Sequence, residues 1–356
     1  MFHTPIRAAL VSYGISSRTF HAPFLTTLPG FSFDAVLERN GSRAEESFPS
    51  IVTHRTMESL LNDDRIELVV ITSPNDTHFP YAKAALEAGK HVVVEKPFTI
   101  RSSEALELCE LSRSKGLVCS VYQNRRYVSD FRTMQDILEK GLLGKLHTYS
   151  AHYDRYRPDP RTYGLWREHE VPGAGVFYDL GPHLIDQALV LFGKPRAILA
   201  DIRAQKSYVN VDDCFDVWLD YDFLRVSLHA SMLVREMGPR YQLHGTLGSF
   251  IKSGEDPQED LLKSGVMPVG ADWGQEDPSI FGLIHTAMDG RVIREAYPSL
   301  PGDYGDFYRN LYRTIREGAP LSETPEHGHD VIKMIELALQ SSDSRSWIPV
   351  EGLLSY

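Results

Sequence analysis

The first third of the chain alternates short, nearly continuous apolar runs with stretches of helical spacing. The apolar runs fall at residues 6–13, 33–38, 66–72, 91–95 and 117–122. Between them, Tyr81, Ala84, Ala85 and Ala88 recur at helical spacing, and so do Ala105, Leu108, Cys109 and Leu111. Continuous apolar runs mark strands covered on both faces. Strands separated by helices build right-handed βαβ units in a doubly wound parallel sheet. Residues 1–123 are therefore expected to form a Rossmann-type α/β domain that binds a dinucleotide.

The pattern changes at Asn124-Arg125-Arg126. A helix is predicted over 130–140, closed by Gly141 and Gly144. Period-2 alternation then dominates at 149–153, 215–221 and 226–230, which predicts antiparallel strands with one face covered. A helix is expected at 181–192, a long loop rich in Gly, Pro and charge at 255–274, and late helices at 304–317 and 329–342. Residues 124–356 are thus expected to be an α+β domain on a large, open, mostly antiparallel sheet, serving substrate binding and oligomerisation. Broad half-covered strands suit sheet pairing between subunits, so a homo-oligomer (dimer or tetramer) is expected.

Composition narrows the partners. The 356 residues carry 37 basic and 48 acidic side chains, a net charge of −11. Such a balance offers no basic surface for nucleic acid or anionic lipid. Cys109, Cys119 and Cys214 are too few and too scattered for a disulfide framework or a zinc cluster. No segment reaches the ~20 apolar residues of a membrane span. The first apolar run, from Ile6, reads as a strand and not as a signal peptide. A cytoplasmic protein is expected.

The turn after the first run has the form Ser12-Tyr13-Gly14-Ile15-Ser16-Ser17. It keeps the middle glycine of a Gly-x-Gly-x-x-Gly turn and has serines at the flanking positions. A strand turning into a helix at Gly14 puts backbone N–H groups of Gly14, Ile15, Ser16 and Ser17 where a pyrophosphate docks. Glu38 stands at the spacing expected of a carboxylate on a ribose 2′-hydroxyl, which leans the reading toward NAD. Arg39 follows and would instead stack on adenine or hold the 2′-phosphate of NADP. Thr72-Ser73-Pro74-Asn75 and His78 close the third run, at the strand end where α/β sheets bind ligands. Asn75 and His78 are read either as turn residues or as cofactor contacts, and Thr77 as a cap of the next helix. Asn124, after the fifth run, is a further candidate for nicotinamide ribose or substrate.

Glu95-Lys96-Pro97 is the most informative triplet, because a lysine where a buried strand opens into a cleft is costly unless paired or used. Farther on stands Asp179-Leu180-Gly181-Pro182-His183. Oxidising a secondary alcohol needs a base within reach of the hydroxyl, and histidine, with a reference pKa of about 6.5, suits that task. Asp179, four residues before His183, would share a helical face with it and orient the imidazole or grip a second hydroxyl; its other reading is a helix N-cap. Lys96 would stabilise the developing alkoxide and join the proton relay. No further ligands accompany the Asp/His pair at metal spacing, so no metal is expected. Tyr153, Arg157, Trp166 and Arg167 lie in an aromatic and cationic segment. It is read either as a lining for a hydroxyl-rich ring or as a packed interdomain linker.

Taken together, Ser12-Tyr13-Gly14, Thr19-Phe20-His21-Ala22-Pro23, Ser73-Pro74-Asn75-Asp76-Thr77-His78, Glu95-Lys96-Pro97 and Asp179-Leu180-Gly181-Pro182-His183-Leu184-Ile185-Asp186 resemble the Gfo/Idh/MocA oxidoreductase family over nearly the whole chain. The stretch from Thr19 to Pro23 looks most like its scyllo-inositol dehydrogenase branch. The resemblance implies NAD or NADP as cofactor, a cyclic polyol or sugar as substrate, and Lys96, Asp179 and His183 as catalytic positions, with Lys96 and His183 handling the proton. Two rival readings stay open. One is an NAD-dependent glycosidase that oxidises its sugar transiently. The other is a non-catalytic dinucleotide sensor, which would have no use for a proton relay.

Overall fold

The computed structural model describes residues 4–160, 168–288 and 290–355, so Trp166 and Arg167 lie outside the described residues. The chain divides into two compact units. The first comprises residues up to 127 together with 257–273 and 303–329; the second comprises 128–256, 274–302 and the chain from 330.

The first unit is built on six parallel strands: β1 (Ile6–Val11), β2 (Phe31–Leu37), β3 (Val52–His54), β4 (Leu68–Ile71), β5 (His91–Glu95) and β6 (Cys119–Tyr122). Their order is β3-β2-β1-β4-β5-β6. The chain therefore leaves β1 toward β2 on one side and returns to β4 on the other. That reversal between β1 and β4 is the switch point at which open α/β sheets bind ligands. Val69, Val70, Val92, Val93 and Val94 are fully buried, each contributing about 1.5–3 kcal/mol relative to exposure. The apolar runs thus mark the sheet's centre, and β3, with three residues, is too short to show a pattern of its own.

The returning segments give the first unit its remaining core. Tyr304, Phe307, Tyr308 and Leu311 are buried on the helix Gly305–Glu317 and its entry. Residues 255–274, expected as a loop, contain the helix Gln258–Lys263. Its Gln258 is buried, donating to the Tyr127 carbonyl (3.1 Å) and accepting from the Tyr304 N–H (2.7 Å). Arg125 pairs with Glu259, and Arg126 lies 3.6 Å from Glu323. These arginines fasten chain segments and are not loose surface charges.

Nine strands form the sheet of the second unit: β7 (Leu146–His152), β8 (Ala197–Arg203), β9 (Cys214–Tyr221), β10 (Leu224–Ser231), β11 (Tyr241–Gly245), β12 (Gly248–Lys252), β13 (Gly282–Met288), β14 (Arg291–Tyr297) and β15 (Ile348–Pro349). The order is β14-β13-β12-β11-β7-β10-β9-β8-β15. The sheet is mixed and mostly antiparallel, with β7 and β10 parallel. Alternation in sequence reports a half-covered strand and not its direction. On the covered face, Tyr149, Ala151, Val226, Leu228, Phe215, Val217, Tyr241 and Phe250 are buried, and the helix Gly175–Phe192 packs on β9 and β10. On the other face, Ser150, His152, Asp216, Trp218, Ser227 and His229 are half-buried.

That helix begins six residues before its expected start. Its N-cap is Ala174, and Pro182 lies inside it. Asp179 is therefore a helical residue and not the N-cap. The amide-rich start is held from a distance by Asp212, whose carboxylate accepts from the Phe177 N–H at 2.5 Å. Gly175 is required there: its φ is +91°, and a Cβ would lie 2.1 Å from Asp212 Oδ1. Burial, outweighing those backbone bonds, pushes the Asp212 pKa up to about 6.

Candidate active site

The turn after β1 sits at the switch point. Ser12 has φ +85°, a left-handed conformation that costs a non-glycine residue about 1 kcal/mol or more. Its hydroxyl meets the Thr72 carbonyl at 3.2 Å and Thr72 Oγ1 at 3.3 Å. Ser17 Oγ donates to the Ser12 carbonyl (2.9 Å) and lies 2.6 Å from Thr72 Oγ1, which itself donates to the Val11 carbonyl (2.8 Å). The serines at the glycine positions thus stitch the ends of β1 and β4 together. Above Gly14 the turn is open: a Cβ there would meet nothing nearer than Ser12 Oγ at 4.0 Å. Ile15 is half exposed. An open strand-to-helix turn at the switch point fits a dinucleotide pyrophosphate.

Glu38 follows β2, and its carboxylate turns inward. The side chain is 4% exposed; Oε1 accepts from Arg43 Nε at 3.0 Å and Oε2 from the Ala44 N–H at 3.3 Å. It holds the start of the short helix Arg43–Ser47. Arg55 donates to the Glu38 carbonyl at 2.7 Å. Arg39 is exposed, and the Arg43 side chain is 60% exposed.

At the end of β4, Asn75 is buried. His78 is buried too, with Nδ1 2.7 Å from the Pro97 carbonyl and Nε2 2.9 Å from the Ser73 carbonyl. The imidazole thereby braces the β4 end against the turn after β5, and burial pushes its pKa down. Thr77, expected to cap the next helix, instead donates to the Pro74 carbonyl at 2.6 Å and lies 2.6 Å from Ser73 Oγ. Asn124 is buried in the single turn Asn124–Tyr127 that follows β6.

Glu95 is the last residue of β5, and Lys96 opens the turn across a cis Lys96–Pro97 bond. The Glu95 carboxylate is the hub of a buried network. Oε1 accepts from the Ser16 hydroxyl and from His21 Nε2 (3.0 Å), while Oε2 accepts from the Lys96 N–H (3.1 Å). His21 Nδ1 in turn meets the Tyr308 hydroxyl at 2.6 Å. Burial alone would raise the Glu95 pKa, but the His21 bond and charge, the Ser16 bond and the Lys96 charge hold it below the usual range. His21 closes a π-helical turn, Ser17–His21, and is fully buried; such turns recur at functional sites. No role was assigned to His21 from the sequence. Its signal was the Thr19–Pro23 stretch, but its partner Tyr308 lies too far along the chain for any local pattern to find.

Asp179 and His183 belong to the second unit, four residues apart inside one helix, so they share a helical face. His183 is buried and Asp179 half-buried. The Tyr153 ring lies 6.5 Å from the His183 ring, and its hydroxyl 3.1 Å from that of Tyr241, which donates to Gln187 at 3.0 Å. The Arg240 guanidinium stands 3.9 Å over the Tyr153 ring, a cation–π contact worth ~2 kcal/mol when desolvated. Arg157 lines a cavity of about 340 Å³ with Tyr156, Glu168, Val176, Lys206 and Asp212.

Two family models cover most of the chain. "Oxidoreductase family, NAD-binding Rossmann fold" matches residues 6–123, and "Oxidoreductase family, C-terminal alpha/beta domain" matches residues 135–350. Among curated relatives, scyllo-inositol 2-dehydrogenase (NADP(+)) IolW of Bacillus subtilis is 38% identical over 97% of this chain and 96% of its own. The uncharacterized oxidoreductase YdgJ of Escherichia coli is 39% identical over 96% of this chain and 97% of its own. A solved structure of an oxidoreductase from Bacillus cereus superimposes with a TM-score of 0.90 at 35% identity, covering 98% of this chain and all (100%) of that one. The Rossmann sheet with its open turn falls in the first of these matched segments, and the large mixed sheet in the second. On that evidence the chain belongs to the Gfo/Idh/MocA family and is an NAD(P)-dependent oxidoreductase.

Proposed function

We propose that the protein oxidises a secondary alcohol of a cyclic polyol or sugar, inositol-like in its array of hydroxyls, or runs the reverse reduction. The observation carrying this reading is the Asp179–His183 pair on one helical face beside Tyr153, in a chain that also sets Lys96 next to its dinucleotide turn. A nicotinamide dinucleotide, when bound, supplies the hydride acceptor or donor. Gly14, Ile15, Ser16 and Ser17 would hold its pyrophosphate, with Thr72, Ser73, Pro74, Asn75 and Asn124 along the strand ends. His78 and Glu95 brace that edge from within.

The rest of the chemistry belongs to side chains. His183 takes the hydroxyl proton, with Asp179 orienting the ring or gripping a neighbouring hydroxyl. Lys96 stabilises the alkoxide as it forms, which is the differential, transition-state interaction that accelerates a step. Tyr153 offers an aromatic face, and Arg157 a donor, to a hydroxylated ring.

For the cofactor we favour NADP(H), against the lean drawn from Glu38 in the sequence. A buried carboxylate bonded to Arg43 and the Ala44 N–H has its charge compensated and is turned away from solvent. It is poorly disposed to bond a ribose 2′-hydroxyl, whereas exposed Arg39 and Arg43 suit a 2′-phosphate. Supporting this, IolW is named for NADP(+). The test is kcat/KM with NADP and with NAD across a panel of inositols and aldoses. Turnover with NADP at least tenfold better than with NAD supports the reading, and equal or reversed preference overturns the cofactor assignment. Aglycone release from glycosides without net nicotinamide reduction would replace the dehydrogenase by the glycosidase.

A further inference from the structure

On the half-covered face of the second unit's sheet, away from Tyr149, Ala151 and the helix Gly175–Phe192, four ionisable side chains converge. His152 ends β7 and stands opposite His229 across the parallel β7–β10 pairing. Asp154, two residues farther on, keeps the same face and is fixed by the Ser231 N–H, which donates to its Oδ1 at 3.2 Å. Asp216 stands opposite His229 across the antiparallel β9–β10 pairing. Asp154 Oδ1 lies 3.1 Å from His229 Nε2, and its Oδ2 lies 3.4 Å from His152 Nδ1. Asp216 Oδ1 is 2.8 Å from His229 Nδ1.

We propose that His152, Asp154 and His229 form a binding site for a divalent cation of the zinc class, with Asp216 orienting His229 and water completing the coordination. Three features carry this. First, one donor atom from each of the three residues falls within 4.8 Å of the others. Ligands at about 2.0–2.1 Å around a tetrahedral ion sit about 3.3 Å apart, and the Asp154 carboxylate faces both imidazoles at about that spacing, His229 through Oδ1 at 3.1 Å and His152 through Oδ2 at 3.4 Å. Second, Asp216 takes the Nδ1–H of His229, which fixes the tautomer with Nε2 aimed at Asp154. A carboxylate behind a ligating histidine is the usual outer-shell arrangement of such sites. Third, the donors are two imidazoles and one carboxylate, a set that favours zinc-like ions over magnesium or calcium. Two of the three ride on paired strands and the third is anchored to one of them, so the backbone holds them in place without a bound ion.

The competing account is a plain ion-pair chain, with a His229 imidazolium between two carboxylates. It explains His229, whose pKa the Asp154 and Asp216 bonds push up to about 9. It takes in His152 only through a longer contact, 3.4 Å from the same carboxylate, beyond the best hydrogen-bond distance. In the metal account the proton on Nε2 leaves to solvent as the ion arrives, and both histidines become ligands. The site would then clamp the parallel seam of the sheet.

Chelator-stripped full-length protein, titrated calorimetrically with Zn²⁺ and then optically with Co²⁺, decides between them. The proposal expects one saturable equivalent per chain, a Co²⁺ spectrum of four-coordinate type, and no response to Mg²⁺. His229→Gln and His152→Ala should each weaken Zn²⁺ at least 100-fold, and Asp216→Asn by about 10–100-fold. If His229→Gln fails to fold, the half-exposed His152→Asn replaces it, and unfolding without metal checks each variant. No saturable Zn²⁺ binding, or binding that survives both histidine substitutions, overturns the site.

Discussion

Replacing His21 by alanine tests whether the buried network around Glu95 holds the Lys96 turn. The substitution removes a fully buried ring that bonds the Glu95 carboxylate at 3.0 Å and the Tyr308 hydroxyl at 2.6 Å. A hydrogen bond to a charged group contributes about 1.5–3 kcal/mol, and a stranded buried hydroxyl costs about 1–3 kcal/mol. The Ser16 hydroxyl and the Lys96 N–H remain on the carboxylate, so the total is about 3–5 kcal/mol. At roughly 2–4 °C per kcal/mol for a unit of this size, the first unit should melt about 6–20 °C lower. His21→Gln, which can keep one of the two bonds, should lose less. Because Glu95 directly precedes Lys96, a shift near 1 Å should also cut kcat by up to about 100-fold, with the KM for substrate little changed. Calorimetry alongside steady-state kinetics reads both. A His21→Ala protein that melts with the parent and turns over at the parental rate would refute the reasoning.

Three further outcomes follow from the same structure. Arg43→Ala should release Glu38 and remove a cation from the end of β2, lowering the ratio of kcat/KM for NADP to that for NAD about tenfold, a change of about 1.4 kcal/mol; an unchanged ratio would count against Arg43 as a cofactor reader. In metal-free protein, His229 should titrate near pH 9 by NMR. Because that pKa is raised on folding, its stability contribution is complete below the unfolded value of about 6.5 and is lost as pH rises through about 9, so urea midpoints should fall across that window and fall less in Asp216→Asn. Finally, Lys252 and Glu276 form a fully buried ion pair at 2.9 Å; Glu276→Gln leaves the ammonium without its countercharge and should cost about 3–5 kcal/mol by urea unfolding.

How far the chain could be read depended on whether each signal was local. The strand His91–Glu95 was fully legible, because a central parallel strand must be apolar along its length. The beginning of the helix Gly175–Phe192 was not, because its cap is Asp212, far along the chain, and Ala174 has no capping group. Asp179 and His183 were legible as a pair because four residues make one helical turn. The inward turn of Glu38 was hidden: spacing locates a carboxylate at a strand end but does not reveal that Arg43 and the Ala44 N–H occupy it. Strand pairing alone brings His152, Asp154, His229 and Asp216 together, and no ligand spacing announces them.

The most direct test of the account is polyol oxidation by the parent protein and by Lys96→Ala, followed by nicotinamide absorbance, with cofactor affinity measured separately by fluorescence. The account predicts NADP-dependent turnover on at least one inositol or related cyclic polyol in the parent. It also predicts a loss of roughly 100-fold or more in kcat for Lys96→Ala, the order expected when a positioned proton-handling or charge-stabilising group is removed, with cofactor affinity largely retained. Full activity in Lys96→Ala, or a parent that binds cofactor tightly and turns over no polyol, would contradict it.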